Sequence, residues 1–175
     1  MTSDEKIAQL AAAVDEETKA RPGAPQTHPE FDRLVRTIWR LRQEDGCPWD
    51  KEQTHQSISK NMIEEAYEAV EAIAEDSPEH LEEELGDVLE QVLLHSQIEA
   101  DSGASAGSEA RDSAASADDV QGCAAGFDID DVCRALNQKL VRRHPHVFGP
   151  EAGSTSSAAA VLDVWESVKA EERAS

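Results

Sequence analysis

Two acidic runs in this chain have spacings that suit phosphate chemistry. One is Glu64-Glu65-Ala66-Tyr67-Glu68 and the other is Glu84-Leu85-Gly86-Asp87. Residues three apart share a helix face, so Glu65 pairs with Glu68 and Glu84 with Asp87. Carboxylates gathered this closely repel one another, and either they take up protons or a cation sits among them. Oxygen-only ligation selects Mg²⁺, with Mn²⁺ as a substitute, over zinc. Mg²⁺ held by carboxylates keeps waters and accepts phosphate oxygens, which implies a phosphate-bearing substrate and a metal-activated water. A glutamate-rich helix face is equally the pattern of a solvated surface, and spacing alone leaves both readings open.

A second group is Asn137, Lys139, Arg142, Arg143, His144 and His146, the most concentrated positive charge in the chain. It reads as a phosphate clamp, or as a helix C-terminus favouring cations through its dipole. Trp49 and Trp165 offer a surface for base stacking or belong to a core, and Lys60 is a further candidate for substrate contact. Gly86 costs about 1 kcal/mol against alanine inside a helix. Its place beside Asp87 suggests that a neighbouring helix or a ligand comes close there.

The elements that must position these residues are helices. Residues 4–20 read as a first helix capped by Ser3 or Asp4, followed by a proline-rich linker at 22–29. Pro29 opens a helix over 30–44 with Phe31, Leu34, Val35, Ile38 and Leu41 as its apolar stripe. Residues 45–55, with Gly46 and Pro48, read as a loop. A helix over 56–75 has Ile58, Met62, Ile63, Ala66, Val70 and Ile73 as its expected buried stripe. After Ser77-Pro78 a helix follows over 79–100, with Leu81, Leu85, Val88, Leu89, Val92 and Leu93. The short turn makes these two an antiparallel hairpin, so both carboxylate pairs can converge. Residues 101–126 are Ser, Ala, Gly and Asp with few large aliphatics, too little to offset ordering entropy, and read as a mobile insertion. Further helices are expected over 128–143, ended by Pro145, and over 157–172. No strand-like alternation or internal repeat appears.

Composition narrows the function classes. Lys and Arg number 16 against 37 Asp and Glu, a formal charge of −21 over 175 residues. Such a surface repels nucleic-acid polymers and anionic membranes, and a small phosphorylated ligand needs a cation or a local basic cluster as a bridge. Three cysteines without a CxxC pair point to reduced thiols and a cytoplasmic setting, with neither a disulfide framework nor a zinc signature. The first residues carry no long apolar run, so no secretion signal or membrane span is expected. A small aliphatic core leaves helix faces that a second copy would cover.

The run Gly46-Cys47-Pro48-Trp49-Asp50-Lys51-Glu52-Gln53-Thr54-His55 resembles a signature of the MazG family. So do Ile63-Glu64-Glu65-Ala66-Tyr67-Glu68, Glu82-Glu83-Glu84-Leu85-Gly86-Asp87 and Lys139-Leu140-Val141-Arg142-Arg143-His144-Pro145-His146-Val147-Phe148-Gly149, with Trp165-Glu166 near Lys169. The double acidic motif is shared with the wider all-α NTP pyrophosphatase superfamily, and the two runs around Cys47 and Arg142 are more specific. The resemblance implies an all-α helical bundle completed by dimerisation. It implies hydrolysis of NTPs or dNTPs to monophosphate and pyrophosphate. Glu65, Glu68, Glu84 and Asp87 would hold Mg²⁺ with Glu64 beside them, and Asn137, Lys139, Arg142 and Arg143 would contact the triphosphate. Many relatives carry two such domains, whereas the motifs occur once here. The expected organisation is a helix and linker at 1–28, then one domain over 29–173 interrupted at 101–126. Other readings are a pyrophosphohydrolase for dUTP, dCTP or phosphoribosyl-ATP, a helical interaction module without turnover, and a cation-binding regulator.

Overall fold

The computed structural model describes residues 2–113, 126–149, 152 and 157–174. Every regular element among them is helical: α1 (Ser3–Lys19), α2 (Pro29–Leu41), α3 (Pro48–Glu52), α4 (Asn61–Ala74), α5 (Pro78–Ser113), α6 (Ile129–Arg143), α7 (Pro145–Phe148) and α8 (Ala158–Ala174). The chain divides into two compact units, residues 28–130 and residues 1–27 with 131–175. No helix among the described residues is long and apolar enough to cross a membrane.

In the unit of residues 28–130, α2 and α4 both pack against α5. Pro29 stands at the first position of α2, where its missing N–H costs nothing. Ile38, Ile58, Leu93, Leu94 and Ile98 form the buried cluster, with Phe31, Leu34, Val35, Leu41, Leu89 and Ile129 packed around it. The expected stripe of α2 is therefore its core face.

The turn between α4 and α5 is built from backbone chemistry. Asp76 takes a left-handed φ of 54°, which aspartate tolerates better than most residues. Its N–H donates to Ile73 O at 3.3 Å, and that of Ser77 to Ala72 O at 3.4 Å. These are the paired bonds of a Schellman ending. Ser77 then starts α5: its Oγ accepts from the His80 N–H at 3.3 Å, and Pro78 takes the first helical position.

Several expectations are corrected. The stripe expected to be buried on α4 is exposed at Met62, Ile63, Val70 and Ile73, and it is Ala69 and Ala72 that face inward. Small alanines let α4 lie close on α5, and the large side chains point away. Leu85 is likewise exposed. The helix expected from residue 56 begins at Asn61, after a turn in which Ser57 and Ile58 donate to Thr54 O and Ile58 plugs the core. The loop at 45–55 contains the short helix α3, opened by Pro48. α5 continues past residue 100 to Ser113, since 101–113 contains no proline and its alanines sustain a helix. Residues 114–125 of the expected insertion lie outside the described residues.

In the other unit, α1 is capped by Thr2 rather than by Ser3 or Asp4. Thr2 Oγ1 accepts from the Glu5 N–H at 3.2 Å, and Glu5 Oε2 accepts from the Thr2 N–H at 2.7 Å, a reciprocal capping box. Pro145 ends α6 and also opens the single turn of α7. Trp165 meets the ring of His144 edge-on, with centroids 5.0 Å apart.

Candidate metal centre

The α4–α5 hairpin brings Glu65, Glu84 and Asp87 together. One carboxylate oxygen from each lies within 4.8 Å of the other two. Glu84 is buried and the other two are half-buried. Among the described residues this is the group of acidic, histidine or cysteine side chains whose geometry can hold a metal ion.

The electrostatics of the group match that capacity. Burial, then the charges of Asp87, Glu68, Glu84 and Glu64, push the Glu65 carboxyl above its ordinary value. Burial and the charge of Glu68 push Glu84 up as well, against the opposing influence of His80. Burial raises Glu90 too, assisted by Asp87 and by Asp50. Glu84 Oε2 is buried without a hydrogen-bond partner. A carboxylate oxygen in that state lacks a positive partner, and a cation among the three groups would supply it.

Not every expected acidic residue joins the trio. Glu68 and Glu64 are exposed and stand outside it, close enough for their charges to act on Glu65. Within its own unit nothing beyond α5 itself lies within 4 Å of where a Cβ on Gly86 would stand, so the expected approach of a neighbouring helix is not seen there.

Three neighbours of the trio lie outside the acidic motifs: His80, which bonds to Glu84, and Glu90 and Asp50, linked to it through charge. His80 places Nδ1 3.0 Å from Glu75 Oε2 and Nε2 3.0 Å from Glu84 Oε1. With an acceptor at each ring nitrogen, the imidazole donates from both. Its affinity for protons is raised, first by the hydrogen bond to Glu75. Asp50 is buried at the base of the Gly46–His55 run, and Glu90 follows Asp87 by one helical step. A four-residue spacing from His80 to Glu84 is the signal that could have found the first of these.

The run that holds Asp50 and Trp49 is pinned by backbone bonds. Cys47 N–H donates to Leu41 O at 2.7 Å and Gly46 N–H to Gln43 O at 2.8 Å. A side chain at Gly46 would collide with backbone, including Arg40 O at 2.6 Å from its Cβ. Trp49 is 56% exposed, so it is not core. Lys60 is exposed just before α4. A second polar set joins this segment to α5: His55 Nδ1 lies 2.8 Å from His95 Nδ1, and His55 Nε2 lies 3.1 Å from Glu99 Oε2.

The basic residues belong to the other unit. Asn137, Lys139 and Arg142 are exposed on α6 and Arg143 is half-buried at its end. His144 Nδ1 donates to Leu140 O at 2.6 Å.

The MazG nucleotide pyrophosphohydrolase domain matches residues 53–148, more than half of the chain. The chain belongs to this family. It is 41% identical over 143 residues to a nucleoside triphosphate pyrophosphohydrolase/pyrophosphatase MazG of Thermotoga maritima, covering 82% of this chain and 45% of that one. It is 40% identical over 146 residues to the nucleoside triphosphate pyrophosphohydrolase of Escherichia coli K12, covering 83% and 46%. With an uncharacterized Bacillus subtilis protein, YabN, it shares 44% identity over 144 residues, covering 82% and 24%. The chain thus spans less than half the length of these relatives. The MazG match takes in all three residues of the trio as well as α6 and α7.

Proposed function

We propose that this MazG chain is a Mg²⁺-dependent nucleoside triphosphate pyrophosphohydrolase, producing a nucleoside monophosphate and pyrophosphate. The observation that carries the reading is the convergence of Glu65, Glu84 and Asp87, with a buried Glu84 oxygen left without a partner. Their all-oxygen donor set fits Mg²⁺, with Mn²⁺ as its substitute. When bound, the cation offsets charge on the phosphate oxygens and lowers the barrier to attack by water.

The remaining roles fall to the chain's own side chains. Glu68, exposed beside the trio and acting on both Glu65 and Glu84, completes the ligand set or orients the attacking water, with Glu64 next to it. That water forms a new P–O bond, the phosphoanhydride to pyrophosphate breaks, and a carboxylate takes the proton. Trp49 offers an exposed ring for the base and Lys60 an exposed cation. The assignment of Asn137, Lys139, Arg142 and Arg143 to the triphosphate rests on their charge and on the family resemblance.

The proposal includes a homodimer and a cytoplasmic setting. Ile63, Tyr67, Val70 and Ile73 are each 59% exposed or more and follow one side of α4. A continuous apolar face of this kind is the usual mark of a protein interface.

The test is pyrophosphate release from a panel of NTPs and dNTPs, with Mg²⁺ or with EDTA. Release that requires the cation is expected. No metal-dependent release from any nucleotide would overturn the activity, and release unaffected by Asp87→Asn would overturn the site.

A further inference from the structure

Glu84 is the most buried of the three carboxylates, with its side chain 8% exposed. A carboxylate that turns about its last bond presents either oxygen to a cation. In this chain the two oxygens differ. Oε1 is engaged by His80 Nε2 at 3.0 Å, and Oε2 is buried and without a hydrogen-bond partner.

The His80 ring is itself fixed. Its other nitrogen donates to Glu75 Oε2 at 3.0 Å. Glu75 is the C-cap of α4, and His80 lies in the first turn of α5. The imidazole therefore spans the hairpin turn and reaches the trio only through Glu84.

We propose that His80 is a positioning residue, which holds Glu84 by one oxygen so that the other alone is presented to a divalent cation shared with Glu65 and Asp87. This rests on the metal reading above. Partners of this kind behind a ligand fix its orientation, and their loss typically weakens metal affinity about 10–100-fold. Glu75 extends the same arrangement by one step, holding the ring that holds the ligand.

A simpler role would be to staple the turn, and the two roles separate by reach. The amide of glutamine extends to the place of Nε2 and meets Glu84. That of asparagine extends to the place of Nδ1 and meets Glu75 alone. The experiment is titration of the full, nucleotide-free chain with Mn²⁺, followed by the EPR signal of the free ion, with thermal melting in EDTA alongside. His80→Ala is expected to weaken Mn²⁺ binding about tenfold or more. His80→Gln is expected to restore most of it and His80→Asn little. Wild-type affinity in His80→Ala would overturn the proposal, as would equal rescue by asparagine. If His80→Ala melts early, Glu75→Ala, at a more exposed position, gives a second reading: weaker Mn²⁺ binding supports the arrangement and unchanged binding overturns it. Failure of the wild-type chain to bind Mn²⁺ at all would overturn the metal reading and this one with it, an outcome distinct from the others.

Discussion

Arg42 Nε lies 2.6 Å from Asp101 Oδ2, tying the end of α2 to a position well along α5. The Arg42 side chain is 8% exposed and that of Asp101 34%. The same guanidinium donates through Nη1 to the carbonyls of Asp50 and Gln53. One buried cation thus secures both the core pair of helices and the short helix that carries Asp50.

Removing that cation takes one donor from the Asp101 carboxylate, which keeps its bond from Gln97, and one from each of the carbonyls of Asp50 and Gln53. Arg42→Ala is expected to destabilise the chain by about 1.5–3 kcal/mol, the range for hydrogen bonds to charged groups. Arg42→Lys should recover only part, because a point charge cannot serve the separate acceptors of a planar fork. Urea denaturation followed by circular dichroism measures both. A loss below about 0.5 kcal/mol for the alanine variant would mean that water replaces the network.

The acidic cluster predicts an unusual pH dependence. Glu65, Glu84 and Glu90 are held above the ordinary glutamate value of 4.5. Between that value and their raised ones, the folded chain binds more protons than the unfolded chain, so stability falls as pH rises. His80, raised above 6.5, acts in the same direction: its contribution is present below that value and lost as pH rises through the folded one. His95 opposes them, lowered chiefly by burial, and stabilises as pH rises toward 6.5. In EDTA the melting temperature is therefore expected to fall as pH rises above the ordinary glutamate value of 4.5. Mg²⁺ should flatten that fall by replacing the missing protons. Asp87→Asn should raise the melting temperature in EDTA and abolish the shift with Mg²⁺. A melting temperature that climbs with pH in EDTA would contradict this account.

Much of the site was legible because it depends on local rules. The spacing of Glu84 and Asp87, and the Ser77-Pro78 turn, suffice to bring those residues opposite Glu65. Glu68 has the same three-residue spacing from Glu65 yet is exposed and stands outside the trio, so spacing narrows the candidates without deciding which carboxylates meet. His80 was missed because its role depends on where the turn leaves Glu75. The exposed side of α4 was misread for another reason: periodicity shows that a helix has an apolar face, but not whether its own chain covers it. On α4 the alanines Ala69 and Ala72 take the inner side. The long reach of α5 was missed because a small-residue sequence buries little and so gives no apolar stripe to follow.

The apolar side of α4 yields a test of assembly. Val70 is 60% exposed and lies between Tyr67 and Ile73 on that side. Val70→Asp places a charge there without disturbing the core of the single chain. In a dimer closed by α4 it would bury an unpaired carboxylate, which is strongly disfavoured. Sedimentation analysis is expected to show a dimer for the wild type and a monomer for the variant, with the same helical content. A wild-type monomer, or a dimer that persists in Val70→Asp, would remove α4 as the interface.

Gly86 offers a way to ask what approaches Asp87. Alanine in its place should strengthen α5 by about 1 kcal/mol, since glycine is the weaker helix former. Within its own unit the new methyl meets nothing beyond α5 itself within 4 Å, so no packing cost offsets the gain. If the glycine is kept for access by a nucleotide, the methyl intrudes on that ligand instead. Gly86→Ala is therefore expected to be more stable to urea, to bind Mn²⁺ as the wild type does, and to bind nucleotide more weakly. Equal nucleotide affinity in the two proteins would show that the ligand does not pass Gly86. A less stable variant would show that the glycine serves the fold.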